Sequence, residues 1–324
     1  MSHPALKRFT YFGQLGILGG LIGGGLILAV LVSFIPFLTN PELRGLLGSS
    51  PDKITEKLLV PENANILRVV QLLSTFCLFF LPTVLYAKIC HKRAFMHLGY
   101  AKPISFLQIV VAISIMLACV PLSGLLSQLF EMLPFPDAWM QKFKQAEEDY
   151  AKQINVIGRM DNFGDYLVSL FMLAILPGLF EETLFRGGLQ NLLTRWFKLP
   201  LLAIIVTSII FSAVHFSYLG FISRVALGFV LGWMYYRTGN LWPSIIGHAI
   251  FNGTAITVLY VMKLNNPKID VNTADPQLPI WIGVLGLVVT ILLLYAFEWV
   301  SKYQVNEPGK ELVMQDEMNN PFAT

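Results

Sequence analysis

The sequence predicts an all-α fold, a polytopic membrane helical bundle of about eight transmembrane helices. Three observations carry that prediction. Hydrophobic residues make up 55% of the 324 and charged residues only 13%, where a soluble domain carries about 25% charged. The mean hydropathy is +0.62. Apolar runs of the roughly 20 residues needed to cross a bilayer recur along the whole chain.

Taken in order, the runs fall at about 12–38, 69–90, 104–126, 166–186, 199–217, 219–236, 241–262 and 279–300. The first follows a basic start, MSHPALKR, but continues through Leu38, longer than the roughly 7–15 apolar residues of a signal peptide. It reads as a retained span. The link 136–166, PDAWMQKFKQAEEDYAKQINVIGRMDNFGDY, mixes charged and aromatic residues and predicts an amphipathic helix lying along the outer interface. The tail after Lys302 is polar and reads as mobile. The domain reading is a three-span region with that link over 1–165, a core over 166–262, and a last span with a cytoplasmic tail over 263–324.

Lys7 and Arg8 precede the first span, and Lys88, Lys92, Arg93 and Lys102 crowd the link between the second and third. Arg186, Arg195 and Lys198 follow the fourth, and Arg237 the sixth. Alternating spans put all of these on one side, so the positive-inside rule predicts both termini in the cytoplasm. Together with the compact build and the absence of a targeting peptide, this points to a bacterial inner membrane. The net charge of +3 is small and unclustered, so no nucleic-acid partner is expected. The partners are the lipid bilayer and a substrate held in it. Cys77, Cys90 and Cys119 lack zinc or disulfide spacing and read as small buried hydrophobes.

Glycines recur every four residues in the first span (Gly16, Gly20, Gly24) and the sixth (Gly228, Gly232). Small residues at that spacing let helices approach closely; the expectation is packing within the molecule, with dimerisation as the alternative.

Ionisable groups inside a membrane are costly and usually functional. Here they are Glu181, Glu182, His215 and His248, with Arg186 beside the acids. Glu182 and Arg186 lie at i,i+4 on one helix face and can pair, while Glu181 points about 100° away. That divides the work: Glu181 for chemistry, Glu182 with Arg186 in support, the reverse assignment remaining open. If the fourth and fifth spans form a hairpin turning near Phe197, Glu181 lies sixteen residues before the turn and His215 eighteen after it. At about 1.5 Å per residue their depths differ by only about 3 Å. In NLWPSIIGHAIFN, His248 and Asn252 share a stripe with Ser244. His248 lies only about nine residues from the turn near Gly239, so it reaches the same level only if its helix tilts or a turn projects into the cytoplasm.

A carboxylate and an imidazole at one level can activate water, and a second histidine with an amide can hold a developing oxyanion. Those parts suffice for peptide hydrolysis. No HExxH helix and no serine–histidine–acid set is present. A zinc ion is the one cofactor the cluster could hold, with Glu181, His215 and His248 as ligands.

The motifs EETLFR (181–186), FSAVH (211–215) and HAIFN (248–252) resemble, in order, the EExxxR, FxxxH and HxxxN motifs of the CAAX-protease and bacteriocin-processing family of intramembrane peptidases. That family is related to the type II CAAX prenyl endopeptidases. The resemblance covers about 166–262. It implies an intramembrane endopeptidase acting on a membrane-embedded or lipidated, CAAX-like peptide. Glu181 and His215 would activate water, His248 and Asn252 would hold the oxyanion, and Glu182 and Arg186 would support them, by a glutamic-type or metal-dependent route. The alternatives are a proton- or metal-coupled transporter and a non-catalytic immunity or scaffold protein of the same fold. No internal repeat supports the first, and intact motifs count against the second.

Overall fold

The structure, a computed structural model, describes residues 9–100, 103–266 and 278–302. The tail after Lys302, together with Lys7, Arg8 and Lys102 of the basic side, lies outside the described residues. Regular structure among the described residues is helical throughout. The long elements are α1 (Tyr11–Thr39), α2 (Pro61–Cys90), α3 (Phe106–Glu131), α4 (Asp137–Ile157), α5 (Phe163–Phe197), α6 (Pro200–Ala213), α7 (Phe221–Thr238), α8 (Trp242–Asn265) and α9 (Ile280–Lys302).

Helix starts are written locally. The Thr10 hydroxyl accepts from Gly13 N ahead of α1, and Ser105 with Gln108 forms a reciprocal cap on α3. Proline opens α6 and α8, where its missing N–H costs nothing.

All eight expected runs are helical. Six helices, α1, α2, α3, α5, α8 and α9, are long and apolar enough to cross a membrane. α6 has 14 residues, about 21 Å at 1.5 Å per residue, shorter than the roughly 30 Å hydrocarbon core. α7 is also short and carries Arg224 and Arg237. α6 packs on α5 and α7, and α7 also meets α3, α8 and α9. α5 runs on past the expected end at Arg186 to Phe197 through a π-helical stretch, Thr183–Gln190, whose polar side chains are buried against neighbouring helices.

Two cores flank the centre. Met116 of α3, Leu231 and Met234 of α7 and Phe297 of α9 fill one. Leu18, Tyr86, Leu98, Phe185 and Phe211 fill the other. α5 lies between them and touches both α2 and α8.

The glycine ladders behave differently from each other. A methyl group on Gly228 would come within 3.1 Å of Ser208 Cβ, and one on Gly232 within 3.1 Å of Ile204, so α7 packs tightly on α6 as expected. Gly16, Gly20 and Gly24 face open space, which corrects the expectation for α1. The close contact belongs to Gly25, where a methyl group would lie 2.2 Å from the Cys77 carbonyl. One residue is about 100° on a helix, so the face that meets α2 is not the ladder face.

The turn near Phe197 does project outward. Gly187 packs on Leu98, while Leu241 N, at the start of α8, donates to Gly99 O. The first turn of α8 is therefore level with Gly187. α5 continues ten residues beyond that level, about 15 Å. His248 can thus meet α5 near its middle.

The 137–157 segment is helical, as its pattern predicts, and it docks on the bundle. Phe143 is buried along it. Arg68 of α2 donates to the carbonyls of Ile157 and Arg159, fixing the end of α4 against α2.

Candidate active site

A missing side chain brings the site together. A methyl group on Gly178 would sit 3.1 Å from Ile245 O and 3.2 Å from Ala249 N, so α5 and α8 touch through backbone. One turn further along α5 come Glu181 and Glu182, and beside Ala249 is His248.

Glu182 is wholly buried with Arg186, which is also fully enclosed. Arg186 Nη1 stands 3.1 Å from Glu182 Oε1, an ion pair rather than an aligned hydrogen bond. Arg186 Nη2 donates to Gly228 O at 3.1 Å, and the guanidinium lies over the Phe211 ring, 4.8 Å from its centre. Glu182 Oε1 also accepts from His248 Nδ1 at 2.9 Å. The carboxylate takes the hydrogen on that nitrogen, which turns the lone pair of a neutral His248 ring to Nε2.

Glu181 is arranged differently. Its Oε2, like that of Glu182, is buried without a hydrogen-bond partner among the described residues, but here two imidazole nitrogens face it. His215 Nε2 is 3.6 Å away and His248 Nε2 3.9 Å. His215 Nδ1 donates to Phe211 O at 2.8 Å, so its lone pair is also at Nε2. Two basic nitrogens and one carboxylate oxygen thus converge on one small space. Phe211 organises the group, with its ring 4.9 Å from that of His215 and 5.8 Å from that of His248. His215 keeps 25% of its side chain exposed and Glu181 10%, so the space opens on the His215 side.

Of the residues picked from the sequence, Glu181, Glu182, Arg186, His215 and His248 are brought together. Asn252 lies one turn past His248 but donates to Leu173 O at 3.4 Å. Its amide does not bond to the acids or histidines.

The donor types suit zinc. The separations to Glu181 Oε2 exceed the roughly 3.4 Å edge of a zinc tetrahedron, and among the described residues no three His, Cys, Asp or Glu side chains are gathered so as to hold a metal ion. The residues as arranged do not fit the metal.

Sequence reasoning missed the surround. Glu147 of α4 accepts from Ser217 Oγ and Leu219 N in the loop after His215, and Arg224 donates to Ser217 O. Tyr150, also on α4, has its hydroxyl pKa raised, first by burial, with Arg224 opposing and the charges of Glu181 and Glu147 adding to it. Half of the Tyr150 surface is nevertheless open, so it is the hydroxyl end that is enclosed. Tyr100, in the link before α3, bonds the Thr183 hydroxyl beside the acids, and burial pushes its pKa up to about 12. The spacing of Phe143, Glu147 and Tyr150 on one face of α4 was the signal available.

Residues 163–254 match the family model described as type II CAAX prenyl endopeptidase Rce1-like. The Uncharacterized protein YpbD of Bacillus subtilis (strain 168) is 38% identical over 87 residues, covering 26% of this chain and 41% of that protein. The matched stretch is thus less than half of the relative's length. No solved structure matches. Residues 163–254, less than a third of the chain, are thus similar to the Rce1-like family, which is made up of intramembrane peptidases. With its long apolar helices the chain is an integral membrane protein.

Proposed function

We propose that this protein is an intramembrane endopeptidase in which Glu181 is the base that activates water. The observation that carries the reading is the unpartnered Glu181 Oε2 facing two imidazole nitrogens in a site of low exposure. Water held between Glu181 Oε2 and His215 Nε2 gives its proton to the carboxylate as its oxygen attacks the peptide carbonyl. Glu181 then returns that proton to the leaving nitrogen, so the residue ends each cycle as it began. His248 enters the cycle as the imidazolium, its second proton taken from solvent before substrate binds and kept throughout, so that Nε2–H donates to the oxyanion while Glu182 holds Nδ1–H. Asn252 adds its amide once substrate is bound. Glu182 and Arg186 keep His248 in place.

The substrate in this reading is a membrane-embedded or lipidated peptide that enters from the His215 side. The basic residues of the α2–α3 link and the α5–α6 turn meet at the opposite end, where Arg195 contacts His97. This supports an inner-membrane orientation with both termini cytoplasmic. Purified protein in detergent, offered a panel of transmembrane and prenylated CAAX peptides, should cut at least one. Glu181→Gln should cut none, as read by mass spectrometry. Equal cleavage by both proteins would remove Glu181 from the role. Prolonged chelation should leave the rate within about twofold, and a loss restored by zinc alone would move the reaction to a metal.

A further inference from the structure

We propose that α4 borders the mouth of the site and that Glu147 is a positioning residue for His215, acting through the loop that follows it. This rests on the peptidase reading above.

α6 unwinds at the histidine itself. His215 N bonds back to Ser212 O and Phe216 N to Ala213 O, and the chain then turns sharply into residues 217–220. The turn is made at Phe216 with φ +52°, a left-handed conformation that a bulky residue rarely adopts. Phe216 points outward, 78% exposed, so its own side chain contributes little to holding that shape. Strained backbone persists where its surroundings over-determine it, and here the surroundings come from α4 and α7.

Phe143, Glu147 and Tyr150 lie at i, i+4 and i+7 on α4 and share one face. The Phe143 ring stacks on Tyr218 with centres 4.7 Å apart. The Glu147 carboxylate accepts from both the Ser217 hydroxyl and the Leu219 amide. Arg224 of α7 holds the carbonyl of the same Ser217, which is itself buried. The loop is therefore gripped at three successive residues, 217–219, directly after a strained turn.

The His215 ring has one hydrogen bond of its own, from Nδ1 to Phe211 O, and rotation about that bond would carry Nε2 away from Glu181. The grip on 217–219 fixes the backbone from which the ring hangs. The same helix face grips the loop beside His215 and puts the Tyr150 hydroxyl in the field of Glu181, so α4 borders the open side by which substrate enters.

The test combines hydrogen exchange with steady-state kinetics on full-length protein in detergent, using the panel peptide that the wild type cuts. Glu147→Ala should lower kcat about 10- to 100-fold with KM within about threefold. It should also speed exchange across 216–220 while leaving α6 protected. Glu147→Gln keeps an acceptor oxygen for Ser217 and Leu219 and should restore both readouts to within about threefold of wild type. Ser217→Ala, which removes one of the two donors, should show the same pattern more weakly and replaces Glu147→Ala if that variant does not fold. Wild-type kcat in Glu147→Ala, unchanged exchange, or a Gln variant as impaired as the Ala variant would each overturn the proposal. If the wild type cuts nothing, the peptidase reading falls and the catalytic part of this proposal with it. Exchange in Glu147→Ala then still decides whether the carboxylate holds the loop.

Discussion

Glu181 and Glu182 are neighbours in sequence and opposites in setting. Glu182 has Arg186 at 3.1 Å and His248 at 2.9 Å and no exposed surface. Glu181 has nothing closer among its charged contacts than 3.6 Å and sits where the cluster opens. Both keep a buried Oε2 without a hydrogen-bond partner among the described residues, but Glu182 has its other oxygen held by Arg186 and His248, and only the Oε2 of Glu181 faces the two imidazole Nε2 atoms. A charge held by fixed partners organises a site, whereas an oxygen with free lone pairs can take a proton. The 100° between adjacent helical residues produces both environments from one dipeptide.

The contrast can be broken by experiment, and the largest effect belongs to Glu181. Glu181→Gln should lower cleavage by about 10³–10⁴-fold, or about 4–5.5 kcal/mol on the barrier, with the melting temperature unchanged. A large fall in melting temperature would mean that Glu181 is structural after all. Arg186→Met should act the other way, costing about 3–5 kcal/mol of stability because it leaves the buried Glu182 charge without its guanidinium partner. Chemical denaturation in detergent would measure it. Adding Glu182→Gln to that variant should return much of the stability without returning activity. If Arg186→Met unfolds no more easily than wild type, the supporting role is wrong.

Gly178→Val tests how the two settings are joined. Extra carbon where 3.1 Å separates a methyl position from the α8 backbone should cost about 1–3 kcal/mol and move α5 off α8. The His248–Glu182 hydrogen bond should weaken first, so kcat should fall more than KM rises. A neutral Gly178→Val would show that the helices can separate without harm to the site.

The sequence made the helical bundle legible because bilayer-length apolar runs leave few alternatives. The pairing of Glu181 with His215 was legible too, since a hairpin with a turn near Phe197 fixes both depths by counting residues. The reach of His248 was not, because it depends on how far α5 projects beyond the start of α8, and that is set by Leu98 and Gly99 from a distant link. The Gly16–Gly20–Gly24 ladder misled for a related reason. Spacing shows that a helix can pack closely, but the rotation of the helix about its axis decides which face does, and that came from the α2 contact at Cys77. Glu147 escaped because a charged residue on an amphipathic helix looks solvated until the loop it meets is placed.

The smallest expected effect is at Asn252, and it sharpens the division between groups that are already committed and groups that are free. Its amide is engaged by the Leu173 carbonyl, at 3.4 Å and therefore weakly, and only its second hydrogen or a short rotation could reach an oxyanion beside His248. A donor fully aimed at the oxyanion is worth about 10²–10³-fold in kcat. A donor that must first give up a bond returns less, so Asn252→Ala should cost about tenfold, mostly in kcat. A loss as large as the full range would mean that substrate binding turns Asn252 into the site as an equal of His248. No loss at all would leave the oxyanion to His248, and the Asn252 amide would then serve only to join α8 to α5.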